Sequence, residues 1–229
     1  MSIKPILFNT EMVRAILDGR KTQTRRVVKS LDGLSFYRAE PSEDAYEALG
    51  KWDFFYGWLE GGVMFDACVS VKAPCSIGDI LWVRETWGKL TECDVFPPYE
   101  PNEERFIYRA DIGDPDHFQA KWHPSIHMPR DAARIFLRVK DVRVERLQEI
   151  TPEQARAEGC DGRCNCPSSG GNGSLSCVER DFSVEKFESV WDSTIKRSDL
   201  PLYGWYANPW VWVITFERCE RPSGWYEVL

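Results

Sequence analysis

The stretch from Ala133 to Leu147 reads as one long strand that changes phase partway. Ile135, Leu137 and Val139 alternate with Phe136, Arg138 and Lys140, and beyond Asp141 the apolar positions become Val142 and Val144, between Arg143 and Glu145. Successive side chains of a strand point to opposite faces, so a shift of one residue in the apolar pattern needs a bulge or a sharp bend near Asp141. Strands bent in this way are common in barrels. Other strand-like runs accompany it: Thr22–Val28, Val63–Lys72, Ile80–Arg84 after the turn Cys75–Asp79, a short run around Phe106–Ala110, and the dense apolar run within Pro209–Phe216. Glu85-Thr86-Trp87 ends the Ile80–Arg84 strand.

Helical signals are few. Asn9 or Thr10 caps a short helix with Met12, Val13, Ile16 and Leu17 as its apolar stripe and Gly19 as its stop. A second short helix runs from Thr151 to Glu158. A third opens at Phe182-Ser183, with Ser183 as the expected N-cap. Many short strands with two or three flanking helices predict an α+β fold built on a small β-barrel. The chain of 229 residues suits one domain over 1–229, with insertions at about 31–62 (including one short helix), 88–130 and 160–180.

The formal net charge of −7 argues against a protein that coats duplex nucleic acid through general electrostatics. Positive charge is instead local. Residues 19–29 hold Arg20, Lys21, Arg25, Arg26 and Lys29 without an acid among them, which suits a small anionic or nucleotide ligand and equally describes a solvated basic turn. No apolar run reaches the length of a membrane span, and the first residues lack the apolar core of a secretion signal, so a cytoplasmic protein without a membrane partner is expected. In that compartment the eight cysteines read as thiols or metal ligands rather than disulfides.

The densest chemistry lies in Gly19-Arg20-Lys21-Thr22-Gln23-Thr24-Arg25-Arg26. In a strand, Thr22, Thr24 and Arg26 share one face, and Lys21 at the turn leans toward the same space. An ammonium, a hydroxyl and guanidiniums gathered there can bind an anion or a nucleobase, or activate the hydroxyl. A candidate acid lies far along the chain. Thr151, Pro152 and Gln154 form the N-terminal capping box of the second helix and Gly159 stops it. Glu158 therefore falls in the last turn, where the helix dipole disfavours a carboxylate by about 0.3–1 kcal/mol. Glu85, at the end of a strand, is a rival acid. Cys160, Cys164, Cys166 and Cys177 follow in a Ser/Gly-rich stretch, the right number of thiolates for a closed structural zinc site, with free thiols in a flexible insert as the alternative. His123 and His127 have a spacing that binds metal on a helix, but Pro124 and Pro129 favour a structured loop lining a site.

With Gly19, Lys21, Thr24 and Arg26 spaced as G-x-K-x-x-T-x-R, the chain resembles the ASCH domain family of the PUA-like β-barrel superfamily. The Gly78–Val83 strand, the acid-bearing helix and the Trp210–Phe216 strand follow in the order the family has. The segments Val83–Trp87, Ile126–Arg130 and Asn208–Val213 are similar to a phage or prophage branch. The resemblance covers most of the chain outside about 31–62 and 160–180. It implies a nucleoside, RNA or modified-base ligand. A small bacterial member is an amidohydrolase that removes the acetyl group of N4-acetylcytidine. By motif its catalytic lysine, threonine and glutamate correspond to Lys21, Thr24 and Glu158. This chain is about twice as long and carries a cysteine-rich insert beside Glu158.

On that reading Thr24 attacks the acetamide carbonyl, Lys21 takes the hydroxyl proton, Arg25 or Arg26 receives the oxyanion, and Glu158 orients Lys21 or passes a proton to the leaving amine. Arg25, Arg26, Glu85, Trp87, His127 and Arg130 are the substrate-binding candidates, and no cofactor is required for the chemistry. A non-catalytic reader of single-stranded RNA or a modified base uses the same cations, with Trp87, Trp122 or Trp205 stacking on the base. A phage accessory or assembly protein, with a purely structural polar cluster, is the third alternative.

Overall fold

A computed structural model describes residues 1–29, 36–42, 51–60, 63–89, 106–112, 121–162, 181–223 and 225. Among these the fold is mixed α+β, with ten strands lying in open sheets and four α-helices. No helix of the described residues is long and apolar enough to cross a membrane. The chain divides into two compact units, Met1–Lys21 with Asp79–Arg138 and Glu217–Leu229, and Thr22–Gly78 with Val139–Phe216.

In the first unit, β1 (Ile3–Leu7) pairs in parallel with β6 (Ile80–Arg84), from Ile3 opposite Ile80 to Leu7 opposite Arg84. β6 also pairs antiparallel with the first residues of β9 (Phe136–Arg146), Trp82 opposite Phe136. Gly78, at φ +85°, makes the turn into β6, a left-handed backbone that glycine adopts at little cost. Asn9 caps α1 (Thr10–Leu17), accepting the Met12 N–H at 2.9 Å, and Gly19 at φ +74° ends it as expected. α1 buries Val13, Ala15 and Ile16. β7 (Trp87–Lys89) and β8 (Phe106–Tyr108) form a two-stranded ribbon. Ile80, Ala133, Phe136 and Trp225 make one apolar cluster of this unit, and Trp87, Met128 and Ala132 another.

In the second unit, β2 (Gln23–Val27) pairs antiparallel with β10 (Trp210–Cys219), Thr24 opposite Ile214 and Arg26 opposite Trp212. β3 (Phe36–Pro41), β4 (Lys51–Glu60) and β5 (Val63–Lys72) form an antiparallel sheet in that order. Within the stretch expected to be an insertion with a short helix, Phe36–Pro41 and Lys51–Glu60 are strands, and Phe36 and Phe54 pack in one apolar cluster with Val71, Val28 and Trp212. Val142 and Val144 pack on that cluster, in keeping with the change of phase read near Asp141.

A second cluster joins Leu147, Ile150, Ala155, Cys160, Phe187, Trp191, Val211 and Val213 and holds α2 (Pro152–Ala157) and α3 (Ser183–Thr194). The capping box of α2 forms as its sequence predicts, with Thr151 and Gln154 each taking the other's backbone N–H. Ser183 does not cap α3. It is the first helical residue, its N–H donates to Asp181 Oδ1 at 2.9 Å, and its buried hydroxyl donates to the Pro152 carbonyl at 3.2 Å. A short α4 (Leu200–Tyr203) follows.

Candidate functional site

The polar residues of β2 divide by strand parity. Thr24 and Arg26 share a face, and Arg26 Nη1 donates to Thr24 Oγ1 at 2.9 Å and to the Arg25 carbonyl at 3.0 Å. Thr24 is buried, at 1% exposure. Its hydroxyl oxygen accepts a charge-assisted bond, an arrangement that favours negative charge on that oxygen. Burial lowers the Arg26 pKa from its ordinary value, and the charge of Glu158 pulls it partly back.

Arg25 points the other way, toward α2 and α3. Its side chain is fully buried, with the guanidinium 5.7 Å from the Phe187 ring centroid. Nη1 donates to Glu158 Oε1 at 3.2 Å, and Nη2 donates to Glu145 Oε2 and Gln154 Oε1, each at 2.9 Å. Glu145 Oε1 in turn accepts from Arg143 Nε at 2.6 Å. Arg25 is thus a clamp joining β9, α2 and the Glu158 carboxylate. Glu158 is buried and forms the C-cap of α2, with its N–H bonded to the Gln154 carbonyl. Gly159, at φ +94°, turns the chain away behind it, and the Thr22 N–H donates to the Ala157 carbonyl at 2.8 Å. The carboxylate at a helix C-terminus, unfavourable for the dipole, is compensated by Arg25.

The second unit therefore brings Thr24, Arg25, Arg26 and Glu158 together. Sequence reading missed Glu145, which looked like a routine polar position of β9. It took Gln154 for a capping residue alone, whereas its side-chain oxygen serves both the cap and Arg25.

The remaining candidates lie in the first unit, elsewhere in the second, or outside the described residues. Lys21 is 3% exposed, its N–H donates to the Ala15 carbonyl at 2.9 Å, and its ammonium lies 5.5 Å from the Phe8 ring centroid. Arg20 pairs at the surface with Asp18, 2.8 Å away. Glu85 is buried and takes a bidentate fork from Arg134, at 2.9 and 3.0 Å, and Arg134 also binds Asp111 and covers the Tyr108 ring. Burial pushes the Glu85 carboxyl above the usual carboxylate range, against the pull of Arg134. Trp87 is a core residue, stacked on His123 at 4.7 Å and edge-on to Phe106. Trp122 lies beneath the Arg109 guanidinium. In the second unit Trp205 packs on Phe187.

His127 is exposed at the end of a short 3-10 turn, where Pro124 and Pro129 flank it as the loop reading expects. Arg130 lies 4.0 Å over the Trp225 ring. Cys160 packs in the apolar cluster of α2 and α3, while Cys164, Cys166 and Cys177 lie outside the described residues, as does His117. Among the described residues no group of three or more His, Cys, Asp or Glu is arranged to hold a metal ion.

Comparison with family models, with curated proteins and with solved structures gives no match for this chain.

Proposed function

We propose that the chain is a nucleoside- or nucleic-acid-directed protein of ASCH type, on a PUA-like barrel, that hydrolyses an N-acylated base such as N4-acetylcytidine. One observation carries the reading: a buried threonine hydroxyl receives a guanidinium at 2.9 Å, and a second guanidinium holds a buried carboxylate in the same unit.

In the proposed reaction Thr24 Oγ bonds to the amide carbonyl carbon. The resemblance to the ASCH family, and no contact described here, assigns Lys21 as the base that takes the proton, and the carbonyl oxygen becomes an oxyanion stabilised by Arg26. Collapse breaks the C–N4 bond as a proton is delivered to N4, and water then cleaves the threonine ester to release acetate. Arg25 is assigned to positioning, because both of its terminal nitrogens donate to groups of its own fold, Nη1 to Glu158 and Nη2 to Glu145 and Gln154. The four-cysteine zinc site remains a separate proposal, checked by elemental analysis with and without Cys164→Ser.

The non-catalytic reader has its own supporting observation. Glu158 Oε1 accepts from Arg25 at 3.2 Å, so the carboxylate already serves an ion pair within the fold. Acetate release from N4-acetylcytidine decides between the two. Turnover by the wild type, lowered about 100-fold or more in Lys21→Ala and Thr24→Ala, supports the enzyme. Absence of turnover with intact binding of single-stranded RNA supports the reader, and absence of both leaves the accessory-protein reading.

A further inference from the structure

In the first unit, the loop over residues 121–128 meets two arginines that no acid claims. Arg84 ends β6 and lies 5.5 Å from the ring centroid of Trp82, two residues back on the same face. Its Nη2 donates to the Ile126 carbonyl. Arg109 follows β8. Its N–H donates to the Thr86 carbonyl at 3.0 Å, and its guanidinium lies 5.3 Å from the Trp122 ring centroid. Between these two points the loop is tied to β7, where Trp87 and His123 exchange backbone hydrogen bonds of 3.2 and 2.7 Å. Both arginines are half-buried. Among the described residues neither enters an ion pair, whereas Arg14, Arg25, Arg134, Arg143 and Arg156 all do. Two buried donors border the same loop without an acceptor among the described residues: Arg84 Nε, and the indole Nε1 of Trp87, whose ring stacks on His123. Buried polar atoms are seldom left in that state. Since both are donors, the group that completes them brings acceptor oxygens.

We propose that this loop and its two tryptophan-backed arginines bind successive phosphates of a single-stranded nucleic acid. The inference rests on the nucleic-acid-directed reading above and narrows its ligand from a free nucleoside to a strand. A guanidinium laid flat on a ring keeps its N–H edge for a ligand, and that edge matches the oxygens of a phosphate. Packing on tryptophan also fixes the side chain before the ligand arrives, so less freedom is lost on binding. The two cations reach the loop at separate points, Trp122 and Ile126, which suits a chain of phosphates better than a single one. With a formal net charge of −7 on the whole chain, such contacts stay local, in keeping with one strand crossing one loop.

The test is fluorescence anisotropy of a labelled, mixed-sequence RNA of about ten nucleotides with the full chain, over a series of salt concentrations. Arg84→Gln and Arg109→Gln should each weaken binding about fivefold and lower the salt slope by about 0.7, the share of one phosphate contact on a single strand. Arg156→Gln loses the same charge from α2, where Arg156 pairs with Glu153, and should change neither quantity. Circular dichroism checks folding. If Arg84→Gln does not fold, Arg84→Lys takes its place: it keeps the charge, loses Nε and the plane on Trp82, and should weaken binding with the slope retained. The proposal is overturned by a wild type that does not bind the RNA, by Arg84 and Arg109 variants that bind like the wild type, or by an equal loss in Arg156→Gln. Displacement of the RNA by oligoglutamate, or by a nucleoside monophosphate, at the concentration at which unlabelled RNA displaces it also overturns it. Binding is read without turnover, so the two readings fail separately. Acetate release from N4-acetylcytidine with RNA binding unmoved by the variants leaves the hydrolase and removes the strand site, and the converse result does the opposite.

Discussion

Replacing Arg25 with methionine removes the clamp beneath the candidate site and keeps most of the side-chain volume. The substitution removes one donor from each of three acceptors in one step: Glu158, with 5% of its side chain exposed, Glu145, with 17%, and Gln154. Removing one partner of a buried ion pair is destabilising by about 3–5 kcal/mol, because water does not replace the lost counterion. For a chain of this size that lowers the thermal midpoint by roughly 10 °C. Changing Glu158 to glutamine in the same chain removes one stranded charge. The double variant Arg25→Met/Glu158→Gln should therefore be more stable than Arg25→Met alone, with a coupling of about 2 kcal/mol in a double-mutant cycle. Chemical denaturation of the four proteins, followed by circular dichroism, measures it. A single variant within about 0.5 kcal/mol of wild type, or a coupling near zero, would refute the assignment of Arg25 as the counterion of Glu158.

Other outcomes follow from the same geometry. Thr151→Ala removes half of the α2 capping box and should lower stability by about 1 kcal/mol, read by denaturant titration. Gly19→Ala should destabilise by about 1 kcal/mol through backbone strain alone, since a Cβ there meets nothing within 4 Å while φ is +74°. The raised Glu85 carboxyl makes the native state bind its proton more tightly than the unfolded chain does. Stability from that group is therefore complete below the ordinary carboxylate pKa and is lost as pH rises through the elevated one. Thermal midpoints of wild type and Glu85→Gln measured from acid to neutral pH should shift steadily in favour of the variant as pH increases.

The local grammar of the chain was legible where a residue's role depends on near neighbours. Asn9, Thr151, Pro152, Gln154, Gly19 and Gly159 act at the ends of α1 and α2 as their identities predict. The shared face of Thr24 and Arg26 follows from strand parity, and their hydrogen bond bears it out. Less legible were contacts decided by partners distant in sequence. Arg25 looked like a ligand-binding cation, but Glu145 and Glu158, 120 and 133 residues away, claim it. Trp87 looked available for stacking until His123, Phe106 and Met128 enclosed it. In the stretch before Val63, charged and turn-forming residues mask the alternation of Trp52, Phe54 and Tyr56, which lines one face of a sheet.

Neighbouring arginines with identical chemistry are given separate duties by nothing more than odd and even position. β2 sends Arg26 to the hydroxyl of Thr24 and Arg25 to the helices. Deleting Thr22 or Gln23, with the turn kept and β2 slipping by one residue along β10, would exchange those duties while leaving every charge in the segment unchanged. The hydroxyl would then face the apolar side of α2 and α3, and an arginine would lose its acids. The spacing between Lys21 and Arg26 is thus as much a part of the chemistry as the residues themselves, and a length variant of this turn is a more severe change than most substitutions within it.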